Sequence, residues 1–136
     1  MEALDLSGTI KAKSDQLNAD DLVAGPLMVQ VESVSLTNDP KQPVHIYYVG
    51  CENKPFKPCL TVRRILIALW GVDGNQWAGK WMNLYIDQSV SFGNQKNIGG
   101  IRVNGMSHIS SAATISLSVR RGMKQQFVIQ PINLDG

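Results

Sequence analysis

The sequence has few of the residues that mark metal-binding, membrane or secreted proteins. It contains two cysteines, Cys51 and Cys59, and two histidines, and their spacing matches no zinc finger. Its longest apolar run, residues 65–70, is far shorter than the ~18 residues of a membrane-spanning helix. Residues 1–5 lack the basic start and apolar stretch of a secretory signal. We therefore expect a cytoplasmic protein with reduced thiols, no membrane association, no metal and no cofactor.

Acidic residues are scarce in the second part of the chain. Residues 54–136 carry ten lysines and arginines and three acids, a net charge of +7, whereas residues 1–53 carry three lysines and eight acids, a net charge of −5. So few carboxylates argue against a two-metal nuclease, and the serines of residues 107–111 lie in no G-x-S-x-G motif. We therefore expect no enzymatic activity. The charge asymmetry favours a polyanion as partner, unless the acids and bases pair across the fold.

Short segments of alternating polarity predict a mainly β protein. The parity of the apolar positions switches between Val31 and Val34, which predicts a β-bulge or sharp bend. Residues 61–70 have helical spacing and end at Gly71, and two prolines restrict residues 54–58 to a short edge strand at most. Strands are expected over residues 27–36, 44–49, 81–87, 89–92, 98–103, 114–119 and 125–129.

The order of these elements indicates the fold class. A hairpin, an edge strand, a helix and a second hairpin follow one another, which is the order of an oligonucleotide-binding (OB) barrel. We therefore expect an OB-like five-stranded antiparallel barrel with one helix between strands 3 and 4 and an additional C-terminal hairpin. Residues 1–17 are expected to form a flexible leader, and residues 18–136 a single domain.

Aromatic and basic side chains coincide on one predicted strand. In a strand over residues 81–87, Trp81 and Tyr85 share a face while the alternate residues face the core. Such rings stack on nucleic-acid bases without sequence preference, and Lys80 and Arg102 stand beside them to meet phosphates. The same alternation is typical of a hairpin whose rings are covered by a loop or by the C-terminal hairpin. Whether Trp81 is open or covered therefore separates the two interpretations.

Further basic residues extend this candidate surface. Arg63 and Arg64 fall in the first turn of the predicted helix, where a cation is disfavoured unless an anion binds there. Alternatively, their side chains cover apolar surface or pair with acids. The residues predicted to contact nucleic acid, with the stacking rings first, are Trp81, Tyr85, Phe92, Lys80, Lys96, Arg102, Arg63, Arg64, Arg120 and Arg121.

A series of short motifs runs in order through residues 18–132. The motifs are Asn53-Lys-Pro-Phe-Lys-Pro-Cys59, Arg63-Arg64, Leu69-Trp-Gly-Val-Asp-Gly74, Gly79-Lys80, Leu84-Tyr85, Val90-Ser-Phe-Gly93, Gly99-Gly-Ile-Arg102 and Met106-Ser-His-Ile109. In these motifs the chain resembles a family of small bacteriophage and prophage proteins described as OB-fold, single-stranded DNA-binding or recombination-associated. The resemblance implies a phage protein that acts in the host cytoplasm during DNA replication or recombination.

Residues and resemblance together predict a protein that binds single-stranded DNA without sequence preference. The alternative is a protein-interaction module, in which the same barrel docks on a phage recombinase or a host replication protein. Salt separates these functions, because phosphate contacts weaken steeply as the salt concentration rises. Unpaired sheet edges would also allow a homodimer.

Overall fold

A computed structural model describes residue 4 and residues 16–87, 100–120 and 122–134, without the side chains of residues 20, 119 and 120. Six strands and one α-helix make up its regular structure, together with two 3-10 helical turns, Ala19–Leu22 and Gly74–Trp77. In chain order the elements are β1 (Leu27–Leu36), β2 (Val44–Tyr48), α1 (Leu60–Trp70), β3 (Trp81–Asp87), β4 (Gly100–Met106), β5 (Ala113–Arg120) and β6 (Met123–Pro131). The prediction of a mainly β chain with one α-helix is confirmed.

The strands form one mixed sheet in the order β2-β1-β3-β4-β6-β5. Neighbouring strands are antiparallel except β4 and β6, which run parallel. The predicted C-terminal hairpin is present as β5 and β6. Within the described ranges the sheet is open and has six strands, so a closed five-stranded barrel is not confirmed.

The segment between β2 and α1 pairs with β2 through a single β-bridge. Ile46 and Phe56 exchange backbone hydrogen bonds of 2.8 and 2.9 Å, and no longer ladder follows in this described segment. Pro55 and Pro58 flank Phe56 and cannot donate to a ladder, which limits pairing to this point. Because no third strand forms before the helix within the described residues, α1 lies between β2 and β3. The predicted position of the helix, between strands 3 and 4, is therefore wrong.

β1 is bent and pairs with two partners. Residues 27–30 pair with β3, and residues 31–36 pair with β2. The register shifts between Val31 and Ser33, which leaves Glu32 as the extra residue of a bulge. A bulge increases the local twist and bends the strand, so one strand can join two parts of the sheet. The bulge predicted from the parity switch is confirmed.

One hydrophobic core joins the helix to the sheet. The buried face of α1, with Ile65 and Leu66 fully excluded from solvent, belongs to the same cluster as Met82 and Leu84 of β3. Each such aliphatic side chain contributes about 1.5–3 kcal/mol on burial. Leu17, which the sequence analysis assigns to the leader, is also buried in this cluster.

Candidate nucleic-acid interface

The outer face of β3 carries the two aromatic residues of the candidate site. Trp81 and Tyr85 are half-buried, whereas Met82 and Leu84 between them are fully buried, as the alternation predicts. Trp81 is therefore neither fully open nor enclosed. Residues in a strand advance about 3.3 Å each, so the two rings start from positions ~13 Å apart along β3. Asn83 lies between them on the same face, and its Nδ2 donates to Asn104 Oδ1 at 2.8 Å.

Neighbouring strands extend this face on both sides. On β1, Gln30 is opposite Trp81, and its Nε2 donates to the Gly79 carbonyl at 3.2 Å. On β4, Arg102 is opposite Tyr85. A ring and a cation directly across two strands are close enough to act on one ligand. The outer face of β1, β3 and β4 therefore combines rings, amides and one guanidinium group.

Tyr85 has one negatively charged and one positively charged neighbour, Asp87 and Arg102. Burial raises the pKa of its phenol, and the Asp87 carboxylate raises it further. The Arg102 guanidinium acts in the opposite direction and lowers the pKa. The phenol thus stays protonated at neutral pH and can donate a hydrogen bond. At this end the face has both charges, with the cation on β4 and the acid at the end of β3.

The backbone of Trp81 is held by a buried serine. Trp81 N–H donates to Ser107 Oγ at 2.8 Å, and Ser107 N–H donates to the Trp81 carbonyl at 2.8 Å. Ser107 is fully excluded from solvent, and its Oγ lies 2.7 Å from Nδ1 of the exposed His108. Oγ accepts from Trp81 N–H, and the direction of its hydrogen bond with His108 Nδ1 is set by the imidazole tautomer. A buried hydroxyl with both partners fixed supports Trp81 and is not presented to a substrate.

The two other tryptophans lie in the core near this support. Trp70 and Trp77 have ring centroids 6.0 Å apart with an interplanar angle of 58°. Trp70 Nε1 donates to the Ser107 carbonyl at 2.8 Å. Lys80, predicted to contact phosphate, has its Nζ 5.8 Å from the centre of the Trp70 ring. This cation–π contact holds Lys80, the residue immediately before β3, against the core.

Arg102 connects the face to the start of α1. Its Nη1 donates to Cys59 Sγ at 3.0 Å, and its Nε is buried without a hydrogen-bond partner among the described residues. Cys59 is the N-cap residue of α1, and its side chain makes no capping hydrogen bond. In the first turn Arg63 is half-buried, also with a buried Nε that has no partner, whereas Arg64 is exposed.

The structure brings together only part of the predicted set. Trp81, Tyr85 and Arg102 lie on adjacent strands, and Arg102 joins them to the helix start. Arg120 lies in β5, separated from β3 by β4 and β6, and its side chain is not described. Phe92, Lys96 and Arg121 lie outside the described residues, so their predicted contacts stay predictions.

Acidic residues gather at the other end of the face. Glu32, the bulge residue of β1, lines a cavity of about 390 Å³ together with Glu52, Tyr47 and Tyr48. Burial raises the pKa of the Tyr48 phenol, and electrostatic interactions with Cys51 and Asp21 raise it further. This cavity would repel a phosphate and attract a cation. This cavity was not predicted from the sequence, although the acidic first part of the chain was its signal.

Comparisons with family models, with curated proteins and with solved structures return no match. The resemblance to small phage proteins therefore stays a prediction from the motifs. Within the described ranges, no three His, Cys, Asp or Glu side chains are placed to hold a metal ion. No described helix has the length and apolar character to cross a bilayer.

Proposed function

We propose that this chain is a non-enzymatic protein that binds single-stranded DNA, without sequence preference, on the outer face of β1, β3 and β4. The observation that carries the proposal is the half-buried pair Trp81 and Tyr85 on one face, with Arg102 directly opposite Tyr85. Following the resemblance to phage proteins, its role would be in DNA replication or recombination in the host cytoplasm.

The strand pairing supports an OB-type arrangement for this function. A bent first strand with two partners, a short bridge at Phe56, one helix and a second hairpin follow in the order expected of such a domain. Bends and bulges of this kind let a small sheet curl toward a barrel. OB-type sheets bind extended single strands across one face.

The proposed binding combines stacking with charge. A base stacked on an aromatic side chain contributes about 1–3 kcal/mol and needs no particular base. The backbone of Trp81 and Tyr85 is already ordered in β3, so no backbone conformational entropy needs to be lost there when a base stacks. Arg102 would neutralise one phosphate, and Lys80 would neutralise a second on leaving the Trp70 ring; each neutralised phosphate makes the log–log slope of affinity against salt steeper by ~0.7. Affinity should therefore fall steeply between low and high salt.

Tryptophan fluorescence tests the proposal directly, because only one tryptophan is accessible. Trp70 and Trp77 are 7% and 3% exposed, whereas Trp81 is half-buried on the candidate face. Titration with oligo(dT) should quench the fluorescence of the wild type, and Trp81→Phe should abolish the quenching. Trp81→Ala should weaken binding measured by anisotropy of a labelled oligo(dT) about 5-fold or more, since a stacked base is worth about 1–3 kcal/mol.

A matched control is Tyr47→Ala on β2, a half-buried aromatic residue that lines the acidic cavity and not the β3 face. It should leave oligo(dT) affinity unchanged. Equal affinity of the wild type and Trp81→Ala, or no binding at low salt, would contradict the proposal.

One surface feature favours the alternative function, a protein-interaction module. A groove of about 410 Å³ lies between the end of α1 and β1, lined by Leu36, Ile67 and Val72. Leu36 and Val72 are 83% and 86% exposed. Exposed apolar patches of this kind often bind proteins. If the function is docking on a recombinase or replication protein, binding to the purified partner should change little with salt concentration. The double variant Leu36→Ser, Val72→Ser should weaken that binding. Oligo(dT) should not bind.

A further inference from the structure

The start of α1 lacks the groups that normally satisfy a helix N-terminus. The first backbone N–H groups of a helix have no partner within it, and an N-cap Ser, Thr, Asp or Asn usually accepts from them. Here the N-cap is Cys59, its side chain makes no such bond, and the first turn contains no acid. The helix dipole therefore makes the electrostatic potential at the start of α1 positive, and no acidic side chain of the first turn offsets it.

Two arginines are associated with this point, one through a side-chain contact and one through its position in the first turn. Arg102 reaches it from β4 through its contact with Cys59 Sγ. Arg63 is four residues after Cys59 in α1, and residues at this spacing lie on the same face of a helix. Both arginines have a buried Nε without a partner among the described residues. Buried donors of this kind are rare in folded proteins and call for a specific explanation, such as a ligand that accepts from the group.

The contact that holds Arg102 in the free protein is weak. A thiol sulfur is a poor acceptor compared with an oxygen, and the second contact, from Nη1 to the Ile101 carbonyl, is long at 3.4 Å. A phosphate offers several charged oxygens that can accept from the guanidinium, and from helix N–H groups as well. Arg102 would therefore exchange the thiol for a phosphate readily.

We propose that Arg63, Arg102 and the first turn of α1 bind one phosphate group, and that Cys59 Sγ holds Arg102 near this place until the phosphate arrives. The ligand's identity rests on the proposed function: in a bound strand, the group is the phosphodiester next to the base on Tyr85, which lies opposite Arg102. A free phosphate has the same chemistry. Cys59 acts here as a positioning residue.

Cys59→Asp separates a binding role from a structural one. An N-cap Asp accepts from the first-turn N–H groups, so the variant should unfold at a higher temperature than the wild type. Its carboxylate also pairs with Arg102 and occupies the place of the phosphate. The affinity for oligo(dT), and for inorganic phosphate in calorimetry, should therefore fall about tenfold or more, the worth of a hydrogen bond to a charged group. A variant that is more stable and yet binds less cannot be explained by misfolding.

Two matched controls accompany this variant. Cys59→Ala removes the thiol without adding a charge and should change phosphate affinity by less than about threefold, since the thiol bond is weak. Cys51→Asp places the same carboxylate at the other half-buried cysteine, which lines the acidic cavity, and should leave phosphate binding unchanged. Arg63→Gln should weaken phosphate binding to an extent similar to Cys59→Asp.

The outcomes distinguish the two proposals. Loss of both phosphate and oligo(dT) binding in Cys59→Asp supports a site for a phosphate of the strand, whereas loss of inorganic phosphate binding alone supports a site for free phosphate. Unchanged binding of both ligands overturns the site, even if Trp81 is quenched and DNA binding stands. A fourth outcome separates the site from the proposed function. If Cys59→Asp loses phosphate binding but oligo(dT) does not quench Trp81 in the wild type, the phosphate site is supported and the proposed function is wrong.

Discussion

Ser107→Ala tests whether a buried hydroxyl fixes the strand that carries Trp81. The substitution removes one oxygen that accepts from Trp81 N–H at 2.8 Å and lies 2.7 Å from His108 Nδ1. The backbone hydrogen bonds of Ser107, to the Trp81 carbonyl and from Trp70 Nε1, remain. The perturbation is therefore confined to the hydroxyl.

The expected magnitude follows from the Trp81 N–H group that loses its acceptor. A buried donor left without a partner costs about 1–3 kcal/mol. Since no carbon atom is removed, the cavity term of a large-to-small core substitution does not add to this cost. For a chain of this size 1 kcal/mol corresponds to a shift of about 4 °C in Tm, so Ser107→Ala should lower Tm by about 4–12 °C.

Thermal and urea denaturation, followed by circular dichroism, measure this loss. Ser110→Ala is the matched control, because Ser110 is exposed and nearby in the chain. Its free energy of unfolding should stay within about 0.5 kcal/mol of the wild type. If Ser107→Ala were as stable as Ser110→Ala, the hydroxyl would not hold Trp81 and the support inferred for the stacking face would be wrong.

Three further variants probe the face itself. The pKa of Tyr85 is raised above its ordinary value of 10.0 in the folded state. The stability that the protonated phenol contributes is therefore present below pH 10 and is lost as the pH rises through the raised pKa. Denaturation at several alkaline pH values should show that the stability of Tyr85→Phe depends less on pH than that of the wild type. Gly105→Ala places a Cβ 3.3 Å from Asn83 Cβ and should lower the free energy of unfolding by about 1 kcal/mol, measured in urea. Glu32→Gln combined with Glu52→Gln should raise oligo(dT) affinity at low salt and not at high salt, because it removes repulsion that salt otherwise screens; equal gains at both salt concentrations would contradict this.

Features that depend on neighbours in the chain could be predicted from the sequence. The period of two in β3 identifies Met82 and Leu84 as core residues, and the change of parity after Val31 identifies the bulge. The helical stripe identifies α1 to within one residue. Each of these follows from local backbone geometry, so a single chain segment contains the information.

Features that depend on distant contacts could not be predicted in the same way. The hydrogen bond between Trp81 and Ser107 joins residues 26 positions apart, and the contact between Arg102 and Cys59 joins residues 43 apart. No periodic pattern marks such pairs. The parallel pairing of β4 with β6 is also non-local, and it continues the sheet into the C-terminal hairpin where the sequence analysis expected a closed barrel.

The charges beside the two rings give the candidate face a polarity. Arg102, Asp87 and the start of α1 lie at the Tyr85 end, whereas beyond Trp81 the strand β1 continues into Glu32 and the acidic cavity. A strand of DNA along β3 would be held by a phosphate at the Tyr85 end and repelled past the Trp81 end. If single-stranded DNA binds as proposed, Glu32 and Glu52 beyond Trp81 should disfavour phosphates there and limit the occupied length to little more than the ~13 Å between the rings. Under the proposed function, the acids would therefore limit the extent of the site, while the rings and Arg102 would provide the affinity.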